Sequence, residues 1–210
     1  MRYTFLILLI CNMFISGCTQ WDYKIENNEV TFQIHSWNHD PIIQKLENAD
    51  HLTFKELNDG YALDKNHVYY KGKIITKADP ATFKILQNKY SSDANNVFLY
   101  TCHIKSASPE DFVILEGAWS KDNQHVFHGY ETINIADAKS FHYLKDGWAI
   151  DNNNAYHALS WVSTGCSGSD ILKVKVFHNV DAKSFQVLNG FKSKDVNNVY
   201  NANKSPNKTN

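Results

Sequence analysis

Apolar and polar positions recur along this chain with a period of 29 residues. Phe54, Phe83, Phe112 and Phe141 stand 29 apart, as do Leu57, Leu86, Leu115 and Leu144, and Asp64, Asp93, Asp122 and Asp151. A fifth copy follows 44 residues later, with Phe185, Leu188 and Asp195 in the same internal register. Other columns agree. Tyr61, Tyr90, Trp119 and Trp148 are aromatic, with Phe191 shifted by one; Ala62, Ser91, Ser120, Ala149 and Ser193 are small. Val68, Val97, Val126, Ala155 and Val199 are apolar, each followed by Tyr or Phe. Such a period marks a repeat array: one unit cannot bury its own apolar face, and stacked neighbours make a continuous core. The Phe and Leu columns are the expected core, and the small column the expected point of close approach.

Within a unit the pattern predicts short strands and turns. Ala78-Asp79-Pro80 places a capping residue before Pro and predicts a single short helical turn. Phe83 to Leu86 reads as extended, and Tyr61-Ala62-Leu63 as a strand. Asp64-Lys65-Asn66-His67 is a reversal of residues that bond their own backbone. Val68 to Lys71 is the β-branched and aromatic return strand. Lys71-Gly72-Lys73 turns the chain again before Ile74.

The expected fold is mainly β: a tandem array of about five 29-residue hairpin-type repeats with short helical turns, preceded by a signal peptide. The boundaries are a lipoprotein signal peptide at 1–17, a partial N-terminal repeat and link at 18–48, and repeats at 49–77, 78–106, 107–135, 136–179 and 180–202. A polar tail at 203–210 is expected to be disordered. Two inserts, at 33–48 and 157–179, depart from the unit.

The N-terminus changes the picture from fold to address. Thr4 to Ile15 is almost wholly apolar behind Arg2, too short to span a bilayer but suited to a signal-peptide core. Ile15-Ser16-Gly17-Cys18 resembles the lipobox of bacterial lipoproteins, which implies cleavage before Cys18 and a lipid on its thiol. Thr19 stands where Asp would favour inner-membrane retention, so the resemblance implies the outer membrane. Without residues 1–17 the chain has 193 residues, net charge −2 and no Met. Cys102 and Cys166 then remain beside Cys18; in an oxidising compartment they are candidates for a disulfide, the alternative being two separately buried thiols.

Composition excludes more than it assigns. The whole chain carries 21 basic and 22 acidic side chains, which gives no electrostatic footprint for nucleic acid. Its 43% hydrophobic content is enough for a packed core.

The stretch Asp64 to Leu86, DKNHVYYKGKIITKADPATFKIL, resembles the DKNYP repeat family of bacterial envelope proteins, with His67-Val68 where the name has Tyr-Pro. The resemblance covers roughly 22–200. It implies repeat architecture and an envelope location, and carries over no catalytic residue.

Candidate chemistry is thin. Asp64/Asn66 and its equivalents look like half of a calcium loop but lack the Gly and the bidentate Glu that complete one, so they read as turns. The ten His scatter, and His35 and His39 do not share a helical face, so they read as solvated residues. Ser163 to Ser169 is not a nucleophile elbow. No catalytic residue, metal site or cofactor is expected. The expected function is a lipid-anchored, non-catalytic module that binds an envelope protein or glycan, with Trp37 and Trp161 in the inserts as candidate contacts. The alternative is a purely structural spacer, with an envelope hydrolase behind both.

Overall fold

The repeat period returns as a series of small antiparallel sheets. The computed structural model describes residues 20–159, 166 and 174–203, so Cys18, Trp161 and the polar tail beyond 203 lie outside the described residues. The first sheet holds β1 (Gln20–Glu26), β2 (Glu29–Ser36) and β3 (His39–Lys45). The second holds β4 (Lys55–Glu56), β5 (Tyr61–Leu63), β6 (Val68–Tyr70) and β7 (Lys73–Ile74). The third holds β8 (Lys84–Ile85), β9 (Tyr90–Ser92), β10 (Val97–Leu99) and β11 (Cys102–His103). The fourth holds β12 (Val113–Ile114), β13 (Trp119–Lys121), β14 (Val126–His128) and β15 (Glu131–Thr132). The fifth holds β16 (His142–Lys145), β17 (Trp148–Ile150), β18 (Asn154–Ala158) and β19 (Val174–His178). The sixth holds β20 (Gln186–Asn189), β21 (Lys192–Lys194) and β22 (Val199–Asn201). Each sheet is a meander with strands in chain order, and the strand pairs described are antiparallel, so each sheet is local in sequence.

The helical turn takes the form of one hydrogen-bonded turn per unit. Thr82 N–H donates to the carbonyl of Asp79 at 3.3 Å, and Ser184 N–H to that of Asp181 at 3.2 Å. Pro80 fixes its own φ, but the chain leaves at once for the next strand, so no α-helix propagates.

An aromatic zipper joins the sheets. The aromatic residue of each central strand meets the Phe of the following unit: Tyr23 to Phe54 (5.4 Å between centroids), Tyr61 to Phe83 (5.6 Å), Tyr90 to Phe112 (5.5 Å), Trp119 to Phe141 (5.2 Å) and Trp148 to Phe185 (5.8 Å). Such tilted pairs add about 0.5–1.5 kcal/mol each beyond the area they bury. The small column is fully buried, and Ala149 packs in one cluster with Trp119 of the unit before it. A larger side chain there would push the neighbouring ring away. The expected core needs correcting in both columns: the Leu column is only half-buried, with Leu188 exposed, and of the Phe column only Phe141 is fully buried, Phe54, Phe83, Phe112 and Phe185 being half-buried. The tightest positions belong to the central strands, because these are covered by a unit on each side.

The two ends are closed by polar substitution. Tyr23 pairs with Phe32 and Ile25 with Val30, as Tyr61 pairs with Tyr70 and Leu63 with Val68. The first sheet is therefore a full unit on its inner face. Lys24 and Thr31 occupy the positions of Ala62 and Tyr69, which elsewhere receive a preceding unit. Its hairpin is closed by Asn27 and Asn28, both at positive φ, in place of the Asp turn. At the other end Lys192 and Lys194 pair with Asn201 and Val199. That register puts Lys192 in the column of Tyr61 and moves Phe191 to that of Gly60, where it packs back on His157. Val199 is 73% exposed where Val68 is fully buried, because no further sheet covers it among the described residues.

The 157–179 insert lengthens one hairpin. Where other units have a two-residue edge strand, Val174–His178 pairs along the whole of Asn154–Ala158. Cys166 bonds Cys102 on β11, two sheets back, with Cα atoms 5.2 Å apart. Strands in one sheet are about 4.8 Å apart, so an in-register strand of the fifth sheet could not reach across the fourth. The insert supplies that reach.

Candidate functional site

The polar residues that looked most like chemistry are used up by the fold. In the five units from the second sheet onward the Asp carboxylate is buried and collects hydrogen bonds from two turns. Asp64 Oδ1 accepts from the backbone N–H of Asn66 and His67, both at 2.7 Å. Its Oδ2 accepts from Asp50 N–H and the Tyr69 hydroxyl, both at 2.8 Å. Asp151 repeats the arrangement with Asn153, Asn154, Asp137 N–H and the Tyr156 hydroxyl. Asp195 repeats it with Asn197, Asn198, Asp181 N–H and the Tyr200 hydroxyl. Burial pushes the carboxyls of Asp64 and Asp151 up, but the converging donors outweigh it and leave both below the usual range. The Tyr200 hydroxyl, with the backbone donors, brings Asp195 down to about 2.

Two units have Phe98 and Phe127 in place of that Tyr. There the residue two positions earlier turns inward. Asn96 Nδ2 donates to Asp93 at 3.1 and 3.2 Å, and His125 Nδ1 lies 3.5 Å from Asp122 Oδ2. A saturated carboxylate whose donors are mostly main-chain N–H groups is a structural lock, not a cation ligand, because its lone pairs are taken. The link back by 14 residues was not read from the sequence. Its signal was there: Asp50, Asp79, Ser108, Asp137 and Asp181 form a column of turn-forming residues.

The histidines divide. His35 lies 3.3 Å from Asp22 on the exposed side of the first sheet. His128 and His157, expected to be solvated, are instead 2% exposed. Each packs edge-on against a Trp at 4.7 Å. At His157 the cause is a coupled exchange. Tyr61 and Tyr90 donate their hydroxyls to the carbonyls of Lys89 and Ala118 in the next unit. Trp148 has no hydroxyl, and His157 Nε2 donates to Gly190 O at 2.6 Å in the corresponding place. Burial drives the His128 imidazole down to about 4, so it is neutral. No group of three or more His, Cys, Asp or Glu is placed to hold a metal among the described residues.

What remains outward is the first insert. Trp37, at the β2–β3 turn, is 95% exposed, and every residue of β3 is exposed, with Ile42 at 67% and Ile43 at 58%. Among the described residues β3 pairs with β2 alone, which leaves its other main-chain edge open there. A cleft of about 330 Å³ runs beside it, between Gln44–Asn48 and the turn at Gly72–Ile74. Gln44 donates to Gly72 O at 3.1 Å across its floor. Gly72, at φ +75°, leaves no room for a side chain: a Cβ there would meet the Phe32 ring at 2.9 Å. The insert thus holds one of the two expected contact residues, Trp37, while Trp161 lies outside the described residues. No helix among the described residues is long and apolar enough to cross a membrane.

The family model of the DKNYY family matches residues 23–157 and, in an overlapping second match, 61–204. No curated protein and no solved structure matches the chain.

Proposed function

The chain belongs to the DKNYY family, and from that premise we propose that it is a lipid-anchored bacterial envelope protein whose array carries a non-catalytic binding surface. The lipid is assigned to Cys18 by Ile15-Ser16-Gly17-Cys18, with the outer membrane as the site. The observation that carries the binding reading is strand β3, an edge strand with open main-chain groups and two large aliphatic side chains in water. Proteins ordinarily blunt such edges, because they recruit other strands. An extended protein segment pairing with that edge, and placing side chains beside Ile42 and Ile43, is the partner the geometry favours over a glycan.

Two experiments test this. A photo-crosslinking residue at position 43 should give a discrete adduct in cells, while the same residue at position 84 should not. Equal labelling at both would leave the spacer reading in its place. Cys18→Ser should abolish fatty-acid incorporation, and continued labelling would remove the anchor from the reading.

A further inference from the structure

The register of the first sheet places its most exposed aromatic side chain beside the point where the chain enters. Gln20, the first residue of β1, pairs with His35 near the end of β2. Ser36 pairs with His39, so Trp37 and Asn38 form the turn at that same end. Cys18 precedes Gln20 by two residues, which spans at most about 7 Å of extended chain. Whatever is attached to Cys18 is therefore held close to Trp37.

We propose that Trp37 sits in the headgroup layer of the bilayer that receives the Cys18 lipid, so that the array stands on the membrane on its β2–β3 turn. This rests on the lipid-anchor reading above. An indole is suited to that depth, with an apolar body and one N–H donor for water or headgroup oxygens. The charged and titratable groups around the turn are Asp22, His35, His39 and Asp40, with Asp22 and His35 paired at 3.3 Å. They form no basic cluster, so the contact is interfacial rather than electrostatic and is insensitive to salt. Ile42 lies four residues beyond the turn, about 13 Å up the strand, and stays outside the layer, free for the partner edge. The tether supplies the high local concentration that lets a single side chain act as a second contact. The tether alone leaves the array free to swivel; Trp37 fixes its tilt.

The test uses the lipid-bearing protein in vesicles of phosphatidylethanolamine and phosphatidylglycerol with brominated acyl chains, which quench nearby indoles. Flotation with the vesicles is scored first, then tryptophan emission of wild type, Trp37→Ala and Trp161→Ala. The expected result is quenching in wild type that is lost in Trp37→Ala, kept in Trp161→Ala and unchanged by added salt. Trp37 is solvent-exposed, so its replacement leaves the fold intact. Protein that floats but is quenched equally with and without Trp37, or not at all, overturns the orientation while leaving the anchor standing. Protein that does not float overturns the anchor, and the orientation with it.

Discussion

Replacing one tyrosine by phenylalanine should have different costs in two repeats of the same chain. Tyr69 and Tyr156 occupy one column, both are buried, and both donate to the Oδ2 of a buried aspartate, at 2.8 and 2.6 Å. Losing a buried hydrogen bond to a charged group costs about 1.5–3 kcal/mol when nothing replaces it. Around Asp151 the corresponding residue is Asn154, whose Nδ2 already donates to Asp151 Oδ1 at 3.5 Å while its Oδ1 bonds His178 Nδ1 at 3.1 Å, so it is held at both ends and cannot move to the vacated Oδ2. Tyr156→Phe should therefore carry the full cost. Around Asp64 that residue is His67, whose Nδ1 is buried, unpartnered and 3.9 Å from Asp64 Oδ1. The fourth unit already shows this replacement, with Phe127 in the column and His125 Nδ1 closing on Asp122. Tyr69→Phe should then cost under about 1 kcal/mol. Urea unfolding followed by tryptophan emission, with the slope checked for constancy, reads both values. Equal costs would refute the reasoning, and so would a Tyr69→Phe, His67→Ala double variant no worse than Tyr69→Phe alone.

The remaining predictions concern the bond, the buried histidine and the core. Reducing Cys102–Cys166, with its separation of 64 residues, should lower stability by about 4 kcal/mol in the chain-entropy limit; an unchanged urea midpoint would show that the insert contributes nothing. His128 titrates at about 4 in the folded chain against about 6.5 unfolded. The stability it contributes is full above pH 6.5 and falls by about 3 kcal/mol as pH drops to 4. His128→Leu, the residue type found at Leu99 in the same column, should flatten that part of the pH profile, and a superimposable wild-type profile would count against the burial argument. Leu86→Ala should cost about 1–2 kcal/mol, since Leu86 is half-buried, and Phe98→Ala about 3–5; the reverse order in thermal melts would mean that the core lies where the Leu column suggested.

Most of the architecture was legible because the repeat states it several times. One copy of Asp64 to Val68 is an ambiguous turn, whereas five copies in register fix strand, reversal and return strand together. Which columns form the core was less legible, because burial depends on the neighbouring unit. Leu57 and Tyr61 are equally apolar in sequence, yet only Tyr61 is covered completely. The Asp50–Asp64 bond was missed for a related reason. It joins two turns that propensity treats as separate, and only the fold shows that one carboxylate serves both. The exposed edge at β3 was hardest to see: Ile42-Ile43 reads as core in any local pattern, and that pattern does not tell that β3 is the last strand of its sheet among the described residues.

The drift between repeats carries more information than their agreement. Tyr69 and Tyr156 bond an aspartate through a hydroxyl, whereas Phe98 and Phe127 leave that bond to Asn96 and His125. Tyr61 reaches the next unit through a hydroxyl, whereas beside Trp148 it is His157 that does so. In the first case the Tyr is lost and an Asn or His of the same turn, a residue type also present beside Tyr156 and Tyr69, keeps a contact to the aspartate; in the second, Trp148 and His157 change together and the bond to the next unit is kept, as expected where an unmet buried polar group is costly. Positions free of such coupling lie on the first insert, at Trp37, Ile42 and Ile43, which are exposed and which no partner among the described residues requires. Large apolar side chains standing in water without a folding reason mark a surface shaped by something outside the chain, and the two proposals made above divide that surface between a bilayer at the turn and a protein strand at the edge.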